Sequence, residues 1–200
     1  MRIEPGSRTL LLIMVMLVTG LQVLPTQVFA AAWNLQTLMQ ELGGRGSGQA
    51  RFTEKKYLSV LDTPIEQSGT LAFSPGRLEK HTLEPNRERM IVDQGNLLIE
   101  TGSEGNTRRL RLQRYPVVWG FVEGMRATLT GDLKTLQSFY DIELHGTPDD
   151  WELVMIPSQD DMSAVVRLLS IRGQGARIGV IEVVQVNGDR SVMRIDEAGP

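Results

Sequence analysis

From Gln49 onward, apolar and polar residues alternate in short runs separated by turn residues, and this pattern limits the fold more than any other feature. A period of two puts successive side chains on opposite faces of a strand. Ile65, Gly69, Leu71 and Phe73 share one face, with Glu66, Ser68 and Thr70 on the other. Ser74-Pro75-Gly76 is a turn, Arg77–Leu83 the next strand, and Pro85-Asn86 turns again. Met90-Ile91-Val92 and Leu97-Leu98-Ile99 flank Asp93-Gln94-Gly95-Asn96 and read as a hairpin. After a turn at Ser103-Glu104-Gly105-Asn106, Leu110 and Leu112 alternate with Arg109, Arg111 and Gln113 until Tyr115-Pro116. Later, Tyr140, Ile142 and Leu144 alternate with Asp141, Glu143 and His145, and Trp151, Leu153 and Met155 with Glu152 and Val154. Val165–Ile171, Ile178–Val186 and Ser191–Ile195 complete the set, with turns at Pro157–Asp161 and Asn187-Gly188-Asp189. About ten or eleven half-apolar strands are most simply buried in a strongly curved antiparallel sheet or partial barrel.

Two stretches break the alternation. Trp33, Leu35, Leu38, Met39 and Leu42 recur at helical spacing, and Gly43-Gly44 ends that helix. The Gly-rich turn that follows lacks the Lys-Ser/Thr pair of a phosphate loop and follows a helix, not a strand. Val117, Phe121, Met125 and Leu129 lie four apart, with Val118 and Val122 beside them, which predicts a helix with a broad apolar stripe. Gly120 and Gly124 fall elsewhere on its surface. Asp132 is placed to cap a short second helix containing Leu133 and Leu136.

The first 30 residues have a different character. Arg2 and Arg8 precede an apolar run from Leu10 to Leu24, and Val28 and Ala30 have the small side chains a signal peptidase reads. The run is shorter than a membrane span and is interrupted by Gly20 and Gln22. The expectation is a signal peptide over residues 1–30, cleaved after Ala30, and one domain over 31–200, exported from the cytoplasm. The alternative is a retained anchor helix. The net charge of the chain is −3; the first 30 residues hold two Arg and one Glu, so the remainder carries −4. That balance argues against a nucleic-acid binder. The absence of cysteine excludes a disulfide scaffold, a thiolate metal site, a cysteine nucleophile and an acylated lipoprotein cysteine.

Catalytic patterns are missing. His81 and His145 lie in predicted strands without metal-spaced partners, and a zinc site needs three or four converging ligands. Asp149-Asp150 and Asp160-Asp161 sit in turns, where carboxylates cap and solvate. No GxSxG, SxxK or ordered Ser-His-Asp pattern occurs. No enzyme, metal or cofactor is expected. Arg108, Arg109, Arg111 and Arg114 read as a charged outer face, or as a docking patch for acidic groups. What remains is apolar capacity: either an ordinary core, or a helix acting as a lid on an apolar pocket.

Phe52-Thr53-Glu54-Lys55, the stretch Gln67–Leu78 with its Gly69, Leu71, Phe73 and Pro75, and Glu84-Pro85 followed by Met90–Leu97 resemble successive motifs of the LolA family of periplasmic lipoprotein carriers. The specific part runs from Phe52 to Ile99. The order of helices and strands extends the resemblance over nearly the whole mature chain. The resemblance implies an incomplete β half-barrel covered by a helical lid and enclosing an apolar cavity for acyl chains. It implies a lipoprotein or lipid cargo, an inner-membrane transporter that donates it and an outer-membrane acceptor. The acceptor of that family is itself a lipoprotein, so the missing cysteine matches this chain to the soluble carrier side; a monomer is expected. The cavity and lid are expected to use Phe52, Leu71, Phe73, Leu78, Leu97, Ile99, Leu110 and Leu112 on the sheet, and Val117, Phe121, Met125 and Leu129 on the helix. Three departures are visible: Ser74 stands where the family usually has Arg, the usual aromatic falls near Lys80, and the sequence stops at Pro200 without the longer C-terminal extension. They point to a branch that moves another lipid or glycolipid. The competing expectation is a non-catalytic sensor or interaction module of the same fold.

Overall fold

The computed structural model describes residues 33–102 and 106–197. The expected signal peptide and its cleavage point lie outside the described residues. α1 (Leu35–Gly43) starts at Asn34, whose side-chain oxygen accepts the Thr37 amide at 3.0 Å. It buries Leu38, Met39 and Leu42, the stripe read from the sequence.

Eleven strands then form one antiparallel sheet: β1 (Gly48–Tyr57), β2 (Ile65–Ser74), β3 (Arg77–Glu84), β4 (Glu88–Asp93), β5 (Asn96–Thr101), β6 (Asn106–Arg111), β7 (Tyr140–Thr147), β8 (Asp150–Pro157), β9 (Val166–Gln174), β10 (Arg177–Gln185) and β11 (Arg190–Glu197). Their order is β6-β5-β4-β3-β2-β1-β11-β10-β9-β8-β7. The first and last strands therefore pair at the centre, and two meanders extend from them. The sheet is not closed. Its edges, β6 and β7, are consecutive in sequence, and the chain passes between them through a helical segment. That segment holds α2 (Pro116–Thr130) and α3 (Leu133–Gln137); a single turn, α4 (Asp160–Ser163), joins β8 to β9. This is the expected half-barrel with a helical cover.

The register explains the alternation. Gln67, Glu54, Met193, Ile181, Ile171, Leu153 and Leu144 lie side by side across seven strands, forming one rung on the face that carries the helices. Five of the seven are apolar, and Ile171 and Leu153 are fully buried. At the β4–β5 turn Gln94 (φ 46°) and Gly95 (φ 75°) are both left-handed, as a tight hairpin requires.

α2 makes its closest approach to the core through small residues, while Phe121, Met125 and Leu129 pack against it only in part. Its most buried positions include Gly120, Gly124, Ala127 and Thr128. A Cβ at Gly120 would run into Met162 Sδ, and one at Gly124 would meet Tyr140 Cε2 at 2.6 Å. The Tyr140 hydroxyl donates to the Gly120 carbonyl at 3.3 Å. The small face lets the helix lie close against the β7–β10 side, where Tyr140, Trp151, Met155 and Leu169 form the main core with α1 and α3. Replacing Gly124 with valine is expected to cost about 1–3 kcal/mol, because the ring it meets is buried and anchored. A lower urea midpoint with an unchanged m-value checks this.

Three sequence expectations are corrected. Leu112 is not a strand residue: β6 ends at Arg111, and Leu112 opens a 3₁₀ turn (Leu112–Arg114) that turns its side chain fully into the core. The Pro157–Asp161 turn is shorter than expected, since Pro157 ends β8 and Asp160 begins α4. Gly120 and Gly124 are the packed face of their helix. The four arginines around β6 are all exposed, and charge on an edge strand discourages pairing with another sheet.

Candidate functional site

The close packing of α2 on one side leaves space on the other. A cavity of about 330 Å³ lies among α2, the β1–β5 side and the central strands. Phe121, Met125 and Leu129 line it from the helix, and Leu71, Phe73, Leu78 and Leu97 from the sheet. These seven are among the twelve positions expected to form the cavity and lid.

The other five lie elsewhere. Phe52 is buried, with Lys80 Nζ 4.9 Å from the centre of its ring, and does not line the cavity. Leu112, Ile99 and Leu110 belong to a small core cluster with Leu97, Val122 and Trp119. Val117, in the first turn of α2, is half-buried and off the lining; its neighbour Val118 lines the cavity instead. Sequence reasoning missed Met90 and Val92 of β4, Ile178 and Ile181 of β10, and Met193 and Ile195 of β11. Their alternation was visible, but alternation does not say which face of a strand lies on a cavity.

The ends of the cavity are polar. At one end Arg45, after α1, donates to Glu197 Oε1 at 2.6 Å and to the Ala176 carbonyl at 3.1 Å. All three residues line the cavity, and the contacts tie the α1–β1 loop to β11 and the β9–β10 turn. At the other end Lys80 lines the cavity and reaches Glu54, which lies off the lining; Glu54, only 5 % exposed, accepts from Lys80 through Oε2 and from Ser191 through Oε1. Lys56 stands 4.0 Å away. Burial pushes the Glu54 carboxyl up, but Lys80 and Ser191 more than offset this and hold it below its ordinary range.

The opposite face of β3 and β4 carries an exposed ion-pair ladder. Glu79 accepts from Arg77 Nε at 2.7 Å and from Arg89 Nη2 at 3.3 Å, and His81 Nε2 lies 3.0 Å from it. Chiefly through Arg77, with Arg89 and His81 adding, these contacts lower the Glu79 carboxyl from 4.5 to about 2. A carboxyl depressed in the folded state contributes stability above pH 4.5 that is lost as pH falls toward 2. Glu79→Gln is expected to flatten the acid limb of a stability–pH curve between those values, measured by urea unfolding. His145 is exposed beside Glu143 at 3.3 Å. Among the described residues no group of three or more His, Cys, Asp or Glu side chains is placed to hold a metal ion. None of their helices is long and apolar enough to cross a membrane.

A family model described as outer membrane lipoprotein carrier protein LolA-like matches residues 27–198. No curated protein matches the chain. Among solved structures, a LolA superfamily protein from Nitrosomonas europaea is 11 % identical with a TM-score of 0.45, covering 82 % of this chain and 92 % of its own. A putative outer membrane lipoprotein-sorting protein domain from Vibrio parahaemolyticus is 10 % identical with a TM-score of 0.41, covering 81 % and 91 %. MucB, solved in complex with MucA(peri), is 14 % identical with a TM-score of 0.40, covering 82 % and 55 %.

Proposed function

Because this chain belongs to the LolA-like outer membrane lipoprotein carrier family, we propose that it is a soluble periplasmic carrier that shields acyl chains of a lipoprotein or lipid between two membranes. The observation that carries this reading is the apolar cavity of about 330 Å³ beneath α2. An apolar cavity of about 150 Å³ takes a benzene ring. Twice that volume takes about a dozen carbons, which is one acyl chain. Each buried methylene contributes about 0.8 kcal/mol, so the walls alone supply the affinity and neither catalysis nor a cofactor is needed.

The proposed cycle starts with cleavage of the leader after Ala30. An inner-membrane transporter then loads the monomer, and an outer-membrane acceptor unloads it. Loading requires α2 to move. Its contacts are uneven in a way that permits this: small residues on the core side, partly exposed large ones on the cavity side. Native mass spectrometry of protein purified gently from the periplasm tests the reading. A co-purifying lipid or acylated protein is the expected result, and a bare mass under every gentle condition overturns it.

A second reading, an interaction module, draws on one feature of the outer face. Lys55, Arg172, Arg190 and Arg194 surround a polar groove of about 370 Å³ with Glu182 between them and Tyr57 under Arg190. That is a surface for an acidic partner. A bare mass accompanied by a stoichiometric protein partner would favour it.

A further inference from the structure

The Lys80 end of the cavity is chemically unlike the rest of it. Resting on the carrier reading, we propose that Gln67 and Lys80, held by Glu54 and Ser191, form a head-group subsite for a hydroxyl-bearing, single-chain amphiphile such as a sugar-headed lipid. The register places the subsite. Gln67 and Glu54 share a rung with Met193 and Ile181, and the last two line the apolar cavity. Lys80 lies between Leu71 and Met90, which also line it, and lines it itself. A chain in the cavity therefore meets Lys80, and a head group extending past it along β1 and β2 reaches Glu54 and Gln67, which lie beyond the lining on the far side of Phe52 and Gly69. Lys80 and Lys56 keep 21 % and 37 % of their side-chain surface exposed, so this end reaches water and can accept a solvated head.

The hydrogen-bonding capacity left over defines the head. Both Glu54 oxygens are engaged, by Ser191 and by Lys80. Among the described residues, the side-chain oxygen of Gln67 is buried with no hydrogen-bond partner. Such an oxygen costs stability until a donor reaches it. Lys80 has three N–H groups, of which Glu54 takes one. The site thus offers one free acceptor on Gln67, which lies opposite Glu54 on the neighbouring strand, and free donors on the ammonium that Glu54 holds. A hydroxyl satisfies both, since it donates and accepts. An ester carbonyl only accepts, and a carboxylate would also face Glu54. A buried ion pair is seldom retained for stability alone, because apolar residues of similar volume serve as well or better. A role in holding Lys80 toward a ligand gives this pair a reason.

The test is competitive displacement of the fluorescent apolar probe 1-N-phenylnaphthylamine by dodecyl glucoside and by methyl laurate, both below their aggregation limits. The readout is the ratio of the two affinities. In the unaltered protein the glucoside is expected to bind at least about tenfold tighter. Gln67→Leu should cut that ratio to about threefold, and Glu54→Leu combined with Lys80→Met should bring it near one. Circular dichroism shows which variants fold, and either one alone decides. A ratio near one in the unaltered protein, or a full ratio retained in a folded variant, overturns the subsite while leaving the carrier reading intact. If neither ligand displaces the probe, the carrier reading fails and the subsite with it.

Discussion

Phe121→Glu is expected to abolish lipid binding while leaving the domain folded. Phe121 is half-buried, lines the cavity from α2 and touches the edge of the main core. A carboxylate there must either sit in the apolar space intended for an acyl chain or turn outward and leave the chain without a wall. Burying an ionised group without a partner costs several kcal/mol. Every 1.4 kcal/mol is a factor of ten, so the loss amounts to about a hundredfold or more in affinity for an apolar probe. The fold should tolerate the change because the fully packed positions of α2 include Gly120, Gly124 and Ala127, whereas Phe121 touches the core only at its edge. One turn toward its start, Val118 is 39 % exposed, so a longer polar side chain has a route to water. Phe121→Leu, which keeps the wall apolar, should bind the probe within a few fold of the unaltered protein. Titration with 1-N-phenylnaphthylamine gives the affinities, and circular dichroism the folded fraction. Unchanged probe binding in Phe121→Glu would show that the cavity is not the lipid site.

The same helix shows what could be read from the sequence and what could not. The spacing of Val117, Phe121, Met125 and Leu129 gave a helix with an apolar stripe, and the helix is there. The stripe does not say what it faces. A hydrophobic pattern suggests that large residues lie deepest in the core, whereas here the glycines do, against Tyr140 and Met162, and Phe121, Met125 and Leu129 pack against the core only in part. The larger residues are shared between the core edge and the cavity. Strand positions pose a similar problem. Alternation put Leu71 and Phe73 on one face and Met193 and Ile195 on another strand's face, but only the pairing of β1 with both β2 and β11 brings those faces together. That pairing joins residues about 140 positions apart in sequence, which no local pattern encodes. Glu54 was legible only as part of a motif. Its burial depends on Lys80 and Ser191 from two other strands.

The Glu54–Lys80 pair supplies the second large effect, on stability. Lys80→Met should destabilise the domain by about 3 kcal/mol, near the lower end for breaking a buried pair. The reason is what remains. Glu54 is 5 % exposed, and without Lys80 its nearest cation is Lys56 at 4.0 Å. Ser191 still donates to it, which keeps the loss from being larger. The carboxyl, now short of its main partner, should titrate higher than in the unaltered protein, because burial raises it and Lys80 supplies the largest opposing contact. Protonating it removes the unpaired charge, so the deficit of Lys80→Met should shrink as pH falls below neutrality. Adding Glu54→Leu removes both charges and should recover most of the loss at pH 7, since two apolar side chains can replace a buried pair at little cost. Urea unfolding of the four proteins of this cycle at pH 7 and pH 5 gives each value. Additive losses in the double variant, or a deficit independent of pH, would mean that the two side chains do not act as a pair. A coupled result would make the polar end of the cavity a costly feature that the fold maintains beside an otherwise apolar wall.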